Sequence, residues 1–78
     1  MITLKNLQRN KDIISAEVYP ETYDKPGFIA VDVRKEKIVD FKEAPDSPYL
    51  SGRLHAMREI IRMKDMSVLP EKRVVLWY

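Results

Sequence analysis

Apolar and polar residues alternate in the first half of the chain, and the clearest case is residues 12–19. Ile14, Ala16 and Val18 occupy every second position of this segment, with polar residues between them. Successive side chains of a strand point to opposite faces, so this period is typical of a strand that buries one face. The segment therefore predicts a strand with these three residues in the core.

The residues on either side of this strand predict a hairpin before it and a loop after it. Ile2 and Leu4 indicate a shorter strand before it. The polar residues 8–11 would connect this shorter strand to the strand of residues 12–19. Residues 20–27 contain two prolines and end in Pro-Gly. Proline cannot donate to a strand ladder and Pro-Gly suits a turn, so we expect a loop of about eight residues there.

Two further apolar segments, residues 28–33 and 38–42, flank a short charged segment and predict a second hairpin. Directly opposed residues of a hairpin share a face of the sheet. Burying Val31 together with Val39 and Phe41 therefore requires Val31 to lie opposite one of these two residues. Such a register predicts a turn of three or five residues.

The period of the apolar residues changes after Ala44. Apolar positions now recur at intervals of four, three and four residues, which is typical of one face of an amphipathic helix; they are Leu50, Leu54, Met57 and Ile61. Asp46 or Ser47 can cap such a helix, with Pro48 in its first turn. We expect a helix of about 16 to 18 residues that buries this apolar face. The solvent side would carry Ser51, His55, Arg58, Glu59 and Arg62.

The chain closes with five consecutive apolar or aromatic residues, 74–78. A run without alternation is typical of a strand that is covered on both faces. Parity within the run sets Val74 and Leu76 on one face and Val75 and Trp77 on the other. With Val74 and Leu76 assigned to the helix side, Val75 and Trp77 are expected on the reverse face.

The order of the predicted elements is β-β-β-β-α-β, which indicates an α+β fold. We expect a single antiparallel or mixed sheet of four to five strands with one amphipathic helix on one face. A chain of 78 residues has room for only one core, so residues 1–78 are expected to form a single small domain.

A single helix cannot cover both faces of this sheet. The reverse face is expected to carry an apolar and aromatic patch, and its members are Ile13, Tyr19, Phe28, Ile38, Val75 and Trp77. A patch of this kind on a free monomer usually marks a partner surface, which favours a homodimer or another protein partner. Alternatively the sheet curls and the loop of residues 20–27 folds over its back, so that Tyr23 and Phe28 close a second small core.

The charge of the chain is nearly balanced, at +2, but it is unevenly distributed. Residues 47–64 carry four basic residues and one acidic residue, whereas residues 21–46 carry five basic and seven acidic residues. The basic residues of the predicted helix form an alternative site, for the phosphate groups of a nucleic acid, and they are Arg53, Arg58, Arg62 and Lys64. Arginines on a helix more often lie over the edge of a core, and no nucleic-acid-binding motif accompanies these four. We therefore favour a structural role for these four residues over a phosphate-binding site.

Catalytic chemistry has little support in the sequence. His55 is the only histidine, and Ser51 lies four residues before it, but such a pair arises by chance on a polar helix face and lacks the third group of a triad. The absence of cysteine excludes disulfides, thiolate zinc sites and thiol nucleophiles. The two glycines stand in no phosphate-binding pattern. We expect no enzyme activity, no cofactor and no metal site.

The apolar runs and the cysteine count also bear on location. No apolar run approaches the roughly 18 residues that cross a bilayer, and the N-terminus lacks a signal-peptide pattern, so we expect a soluble cytoplasmic protein without membrane contact.

The leading hypothesis is a non-enzymatic protein-interaction module that self-associates through the reverse face of the sheet or an edge strand. The alternative is a nucleic-acid-binding accessory protein that uses the basic helix.

Overall fold

The computed structural model of the protein describes residues 2–20, 25–43 and 52–75 and confirms the predicted order of elements. The elements are β1 (Ile2–Asn10), β2 (Ile13–Pro20), β3 (Gly27–Asp32), β4 (Lys37–Lys42), α1 (Gly52–Arg62) and β5 (Lys72–Val75). The five strands form one sheet in the order β4-β3-β2-β1-β5, and every neighbouring pair is antiparallel. The first predicted hairpin is β1-β2 and the second is β3-β4. Helix α1 packs on one face of this sheet, where the core lies.

The first hairpin contains a bulge that decides which face the end of β1 presents. Lys5 lies opposite Glu17, and Gln8 lies opposite Ser15. Asn6 and Leu7 of β1 therefore lie together opposite a single residue of β2. Asn6 has a φ of 55°, a left-handed conformation that asparagine tolerates better than most residues. Leu7 packs against the core as a result. Pairing with β2 continues through Asn10, which makes β1 longer than its two apolar residues predict.

The second hairpin, which contains a bulge in β4, corrects the predicted turn length, the predicted partner of Val31 and the predicted faces of Ile38 and Val39. Asp32 lies opposite Lys37, which closes a turn of four residues, not three or five. Phe41 lies opposite Ile29 and Ile38 lies opposite Val31, so Ile38 and Phe41 both face the helix. Ile38 therefore does not belong to the reverse face. Val39, the extra residue of the bulge, is 46% exposed and does not belong to the core.

The side chains of the terminal strand β5 lie on the opposite faces of the sheet from those predicted. Val75 lies opposite Ile2, and it is 4% exposed within the core, whereas Val74 lies opposite Thr3 and is 47% exposed. Val75 therefore faces the helix and Val74 lies on the reverse face. A run of apolar residues has no period of its own, so its orientation depends on the register with β1. Leu76, Trp77 and Tyr78 lie outside the described residues.

Helix α1 is rotated from its predicted orientation. Ala56, Ile60 and, just after the helix, Met63 are at most 1% exposed, whereas Leu54 is 51% exposed. The centre of the buried side thus lies about 120° around the axis from the predicted stripe, at about 100° per residue. Met57 and Ile61 lie at the edge of the core and are partly buried. The described helix has 11 residues, and the predicted caps and Leu50 lie outside the described residues.

The core lies between this side of α1 and one face of the sheet. Every strand except β4 contributes buried aliphatic side chains, and β4 contributes Ile38 and Phe41 at the edge. The buried residues of this core are Ile2, Leu4, Ile14, Ala16, Val18, Ile29, Val31, Val33, Ala56, Ile60, Met63 and Val75. Ala56 has the smallest of the helix side chains in this set, which allows the helix backbone to approach the sheet closely.

Candidate protein-interaction surface

The face of the sheet opposite α1, called the open face below, is not covered by any element among residues 2–20, 25–43 and 52–75. Helix α1 packs on the other face, and so does the segment after it, because Leu69 packs against the core and the carbonyl of Lys64 accepts a hydrogen bond from Arg9. Arg9 lies opposite Ile14 and therefore faces the helix. The open face is therefore the largest regular surface of the described chain without a packing partner.

One end of the open face is aromatic and basic. Tyr19 and Phe28 are both partly buried here, and Phe28 lies in a row of side chains that crosses the whole sheet. That row is set by the strand registers and consists of Lys72, Lys5, Glu17, Phe28 and Lys42. The Nζ of Lys5 lies 4.7 Å from the centroid of the Tyr19 ring, which is within the range of a cation–π contact. Three lysines and one glutamate give this end a net charge of +2.

The other end of the open face is smaller in side-chain volume and slightly acidic. The next row along the strands consists of Gln8, Ser15, Ala30 and Asp40, and the row after it of Asn10, Ile13, Asp32 and Lys37. Ala30 is 6% exposed, and Ile13 is partly buried. Two aspartates and one lysine give this end a net charge of −1. The open face therefore has two ends that differ in both shape and charge.

The predicted interface residues are divided by this arrangement. Tyr19 and Phe28 lie on the open face, as predicted, whereas Ile38 and Val75 lie on the helix side. Trp77 lies outside the described residues. Val74 takes the place of Val75 on the open face, and sequence reasoning missed it because the two adjacent valines are indistinguishable without the register of β5 against β1.

The four basic residues proposed as a phosphate site do not converge. Arg53 lies over the ring of Phe41, with its Cζ 5.9 Å from the ring centroid, on the side of α1 next to β4. Arg62 pairs with Glu59 at 3.3 Å. Arg58 is exposed about 140° around the helix axis from Arg53, and Lys64 follows the end of the helix. The helix also lies on the other side of the sheet from Tyr19 and Phe28, so the arginines and the aromatic rings cannot bind the same short nucleic-acid segment.

Glu59 is a buried carboxylate, contrary to its predicted place on the solvent side. It is 8% exposed, and its Oε1 accepts a hydrogen bond of 2.7 Å from the Nε of Arg73 in β5. Arg73 lies opposite Leu4 and therefore faces the helix. Two guanidinium groups, from Arg62 and Arg73, offset the cost of burying this carboxylate. The network joins the helix to the short edge strand, which is a structural role.

A polar cleft of about 330 Å³ lies where the two hairpin turns meet the C-terminal end of α1. Its charged lining has as many acidic as basic residues, and they are Arg9, Asp12, Arg34, Glu36, Lys64 and Asp65. Arg9 already donates to the carbonyl oxygens of Lys11 and Lys64, and Arg34 lies 3.8 Å from Asp12. The cleft therefore offers no excess charge of either sign to a ligand.

The remaining findings concern chemistry, membrane helices and known proteins. Among the described residues, no three histidine, aspartate or glutamate side chains are grouped so that they could hold a metal ion. No helix in the described part of the chain is long and apolar enough to cross a membrane. Ser51, the suggested partner of His55, lies outside the described residues. No protein-family model matches the chain, and no curated protein and no solved structure matches it significantly.

Proposed function

We propose that the protein is a non-enzymatic protein-interaction module and that the open face is its binding surface. The observation that carries the proposal is the position of Tyr19 and Phe28, two aromatic residues on a sheet face that no described element covers. Aromatic residues are enriched in the centres of protein interfaces, where they bury a large area at a small cost in conformational entropy. A sheet face with such residues on its inner strands β2 and β3 and with charged residues around them resembles an interface.

The charges of the open face favour a protein over a nucleic acid. Glu17, Asp32 and Asp40 lie on the same face as the lysines, and carboxylates repel phosphate groups. The ammonium group of Lys5 also lies over one side of the Tyr19 ring, where a base would have to stack. Mixed charges at fixed positions instead suit a protein partner, which can match each charge with its opposite.

The edge strands are less suited to binding than the open face. Edge β4 is interrupted by its bulge and carries Lys37 and Lys42 at its ends, and edge β5 begins with the basic residues Lys72 and Arg73. Bulges and lysines are usual features that prevent edge-to-edge pairing. This supports the sheet face, not an edge, as the binding surface.

Photo-crosslinking in the cells that make the protein tests the proposal. The variant Phe28→p-benzoylphenylalanine places a crosslinker at the centre of the open face, and Leu54→p-benzoylphenylalanine places the same group on the exposed side of α1 as a matched control. We expect a discrete protein adduct from position 28 and none of the same mass from position 54. Adducts of equal yield from both positions, no adduct from position 28, or an adduct to nucleic acid would refute the proposed function.

A further inference from the structure

We infer that the partner on the open face is a second copy of the same chain, packed face to face about a two-fold axis that runs across the strands. This inference rests on the proposed function and names its partner. The observation behind it is the difference between the two ends of the open face, one aromatic with a net charge of +2 and the other small and acidic with a net charge of −1. A surface of this kind complements its own rotated copy.

The two-fold axis of a face-to-face dimer lies in the plane between the sheets, and two limiting directions are available. In aligned sheet packing the strands of the two sheets stay within about 30° of parallel or antiparallel, and the axis then runs either along the strands or across them. An axis along the strands keeps each row of side chains opposite the same row of the partner. An axis across the strands keeps each strand opposite itself and exchanges the two ends of the face.

An axis along the strands brings like charges together. If the axis runs over the central strand β2, then β4 lies opposite the partner's β5 and β3 opposite the partner's β1. Lys42 would then meet the partner's Lys72, and Glu17 would meet the partner's Glu17. Like charges brought together at an interface oppose association. This direction is therefore disfavoured.

An axis across the strands, placed between the Phe28 row and the Ala30 row, gives complementary contacts. On β4, Lys42 meets the partner's Asp40, and the symmetry repeats this contact as Asp40 against the partner's Lys42 on the other side of the axis. On β3, the large ring of Phe28 meets the small side chain of the partner's Ala30. On β2, Tyr19 meets the partner's Ile13, and the carboxylate of Glu17 meets the partner's Ser15, whose hydroxyl can donate a hydrogen bond. Shape and charge thus select the same direction.

The dimensions of the molecule limit the size of such an interface. The molecule measures 31 × 23 × 21 Å, so one face can cover at most about 700 Å², which is of the same order as the roughly 800 Å² that each partner contributes to a standard interface. The Lys42 to Asp40 contacts lie on an edge strand, at the rim. Rim charges set orientation and specificity more than affinity, which makes them suitable for a test that leaves the fold intact.

Charge reversal at the rim tests both the partner and the axis. Within one chain, Asp40 lies opposite Ala30 and Lys42 opposite Phe28, so neither has a charged cross-strand neighbour to lose. Asp40→Lys and Lys42→Asp would be measured by sedimentation equilibrium at low salt, together with the double variant and an equimolar mixture of the two single variants. Lys35→Asp and Glu71→Lys make the same charge changes at exposed positions outside the rows of the open face and serve as controls. Far-UV circular dichroism checks that every variant is folded.

The expected results follow from the two symmetric contacts. Each single variant places like charges opposite each other twice and should raise the dimer dissociation constant by about tenfold or more. The double variant and the equimolar mixture of the single variants place opposite charges together again. Their dissociation constants should return to within about threefold of the wild-type value. The controls should leave the constant unchanged.

Four results would overturn the inference. A wild-type chain that sediments as a 9.2 kDa monomer at every concentration excludes a second copy as the partner. Single variants that associate as well as the wild type exclude the Lys42 to Asp40 contact. Single variants that weaken association without rescue in the double variant or the mixture exclude the axis across the strands. A crosslink from position 28 to a different protein would leave the proposed function in place and refute only the second copy.

Discussion

The rotation of α1 gives a sharp prediction, because Ile60 and Leu54 lie on the same helix in opposite environments. Ile60 is 0% exposed and Leu54 is 51% exposed, and substitution by alanine removes three carbon atoms from either side chain. At about 0.8 kcal/mol for each buried methylene, Ile60→Ala loses about 2.4 kcal/mol of transfer free energy, and the cavity raises the loss to about 3 to 4 kcal/mol. Leu54→Ala should cost at most about 1 kcal/mol, since half of this side chain already contacts water.

The assay must allow for the small total stability of the domain. At about 0.05 to 0.15 kcal/mol per residue, a chain of 78 residues has a free energy of unfolding of about 4 to 12 kcal/mol, so Ile60→Ala can leave little folded protein. Ile60→Val, which should cost about 0.5 to 1.5 kcal/mol, provides a folded variant at the same site. With a urea slope of about 1 kcal/mol/M, the midpoint should fall by about 1 M for Ile60→Val and about 3 M for Ile60→Ala. Equal shifts for Ile60→Ala and Leu54→Ala, or a larger shift for Leu54→Ala, would refute the helix orientation.

Three other predictions concern the buried ion pair, the first bulge and the terminal strand, and urea unfolding measures each. Glu59→Gln and Arg73→Gln should each destabilise the domain by about 1 to 2 kcal/mol. Their losses should be non-additive in a double-mutant cycle, because both substitutions remove the same charged hydrogen bond. Additive losses would show that the 2.7 Å contact contributes nothing to stability. Asn6→Val should destabilise by about 1 to 2 kcal/mol, since a β-branched residue is unfavourable at a φ of 55°, whereas Asn6→Gly should be neutral or stabilising; the reverse order would contradict the bulge. Val75→Asp should unfold the domain or cost more than about 3 kcal/mol, and Val74→Asp less than about 1 kcal/mol, because only Val75 faces the core; similar losses would place β5 in a different register.

The part of the open face that could be predicted is the part with uninterrupted alternation. Ile14, Ala16 and Val18 alternate without a break through β2, so the residues between them, and Tyr19 after them, are assigned to the other face correctly. Phe28 follows from the same period in β3. The prediction for Ile38 is wrong because the bulge at Val39 adds one residue to the strand, and one added residue reverses the face of everything beyond it.

The charge pattern of the open face could not be obtained from the sequence, because it depends on which strands are neighbours. Lys5, Lys42 and Lys72 are far apart in the chain, and they enter one row only because β1 pairs with both β2 and β5 while β4 pairs with β3. The basic residues of α1 show the opposite relation between sequence and structure. Its arginines are close in sequence, but Arg53 and Arg62 lie on different sides of α1 and contact different partners.

The sequence by itself determined the number, type and order of the elements, because local period and turn residues depend only on neighbouring positions. It also determined that one helix had to leave one face of the sheet without a helical partner. The tertiary structure decided which side of α1 is buried, since the helix carries two sets of apolar residues and only the set around Ala56 and Ile60 permits close packing on the sheet. It also decided the orientation of β5, since adjacent Val74 and Val75 are chemically identical and only hydrogen bonding to β1 distinguishes them. Register is a property of two strands together, and a single segment cannot specify it.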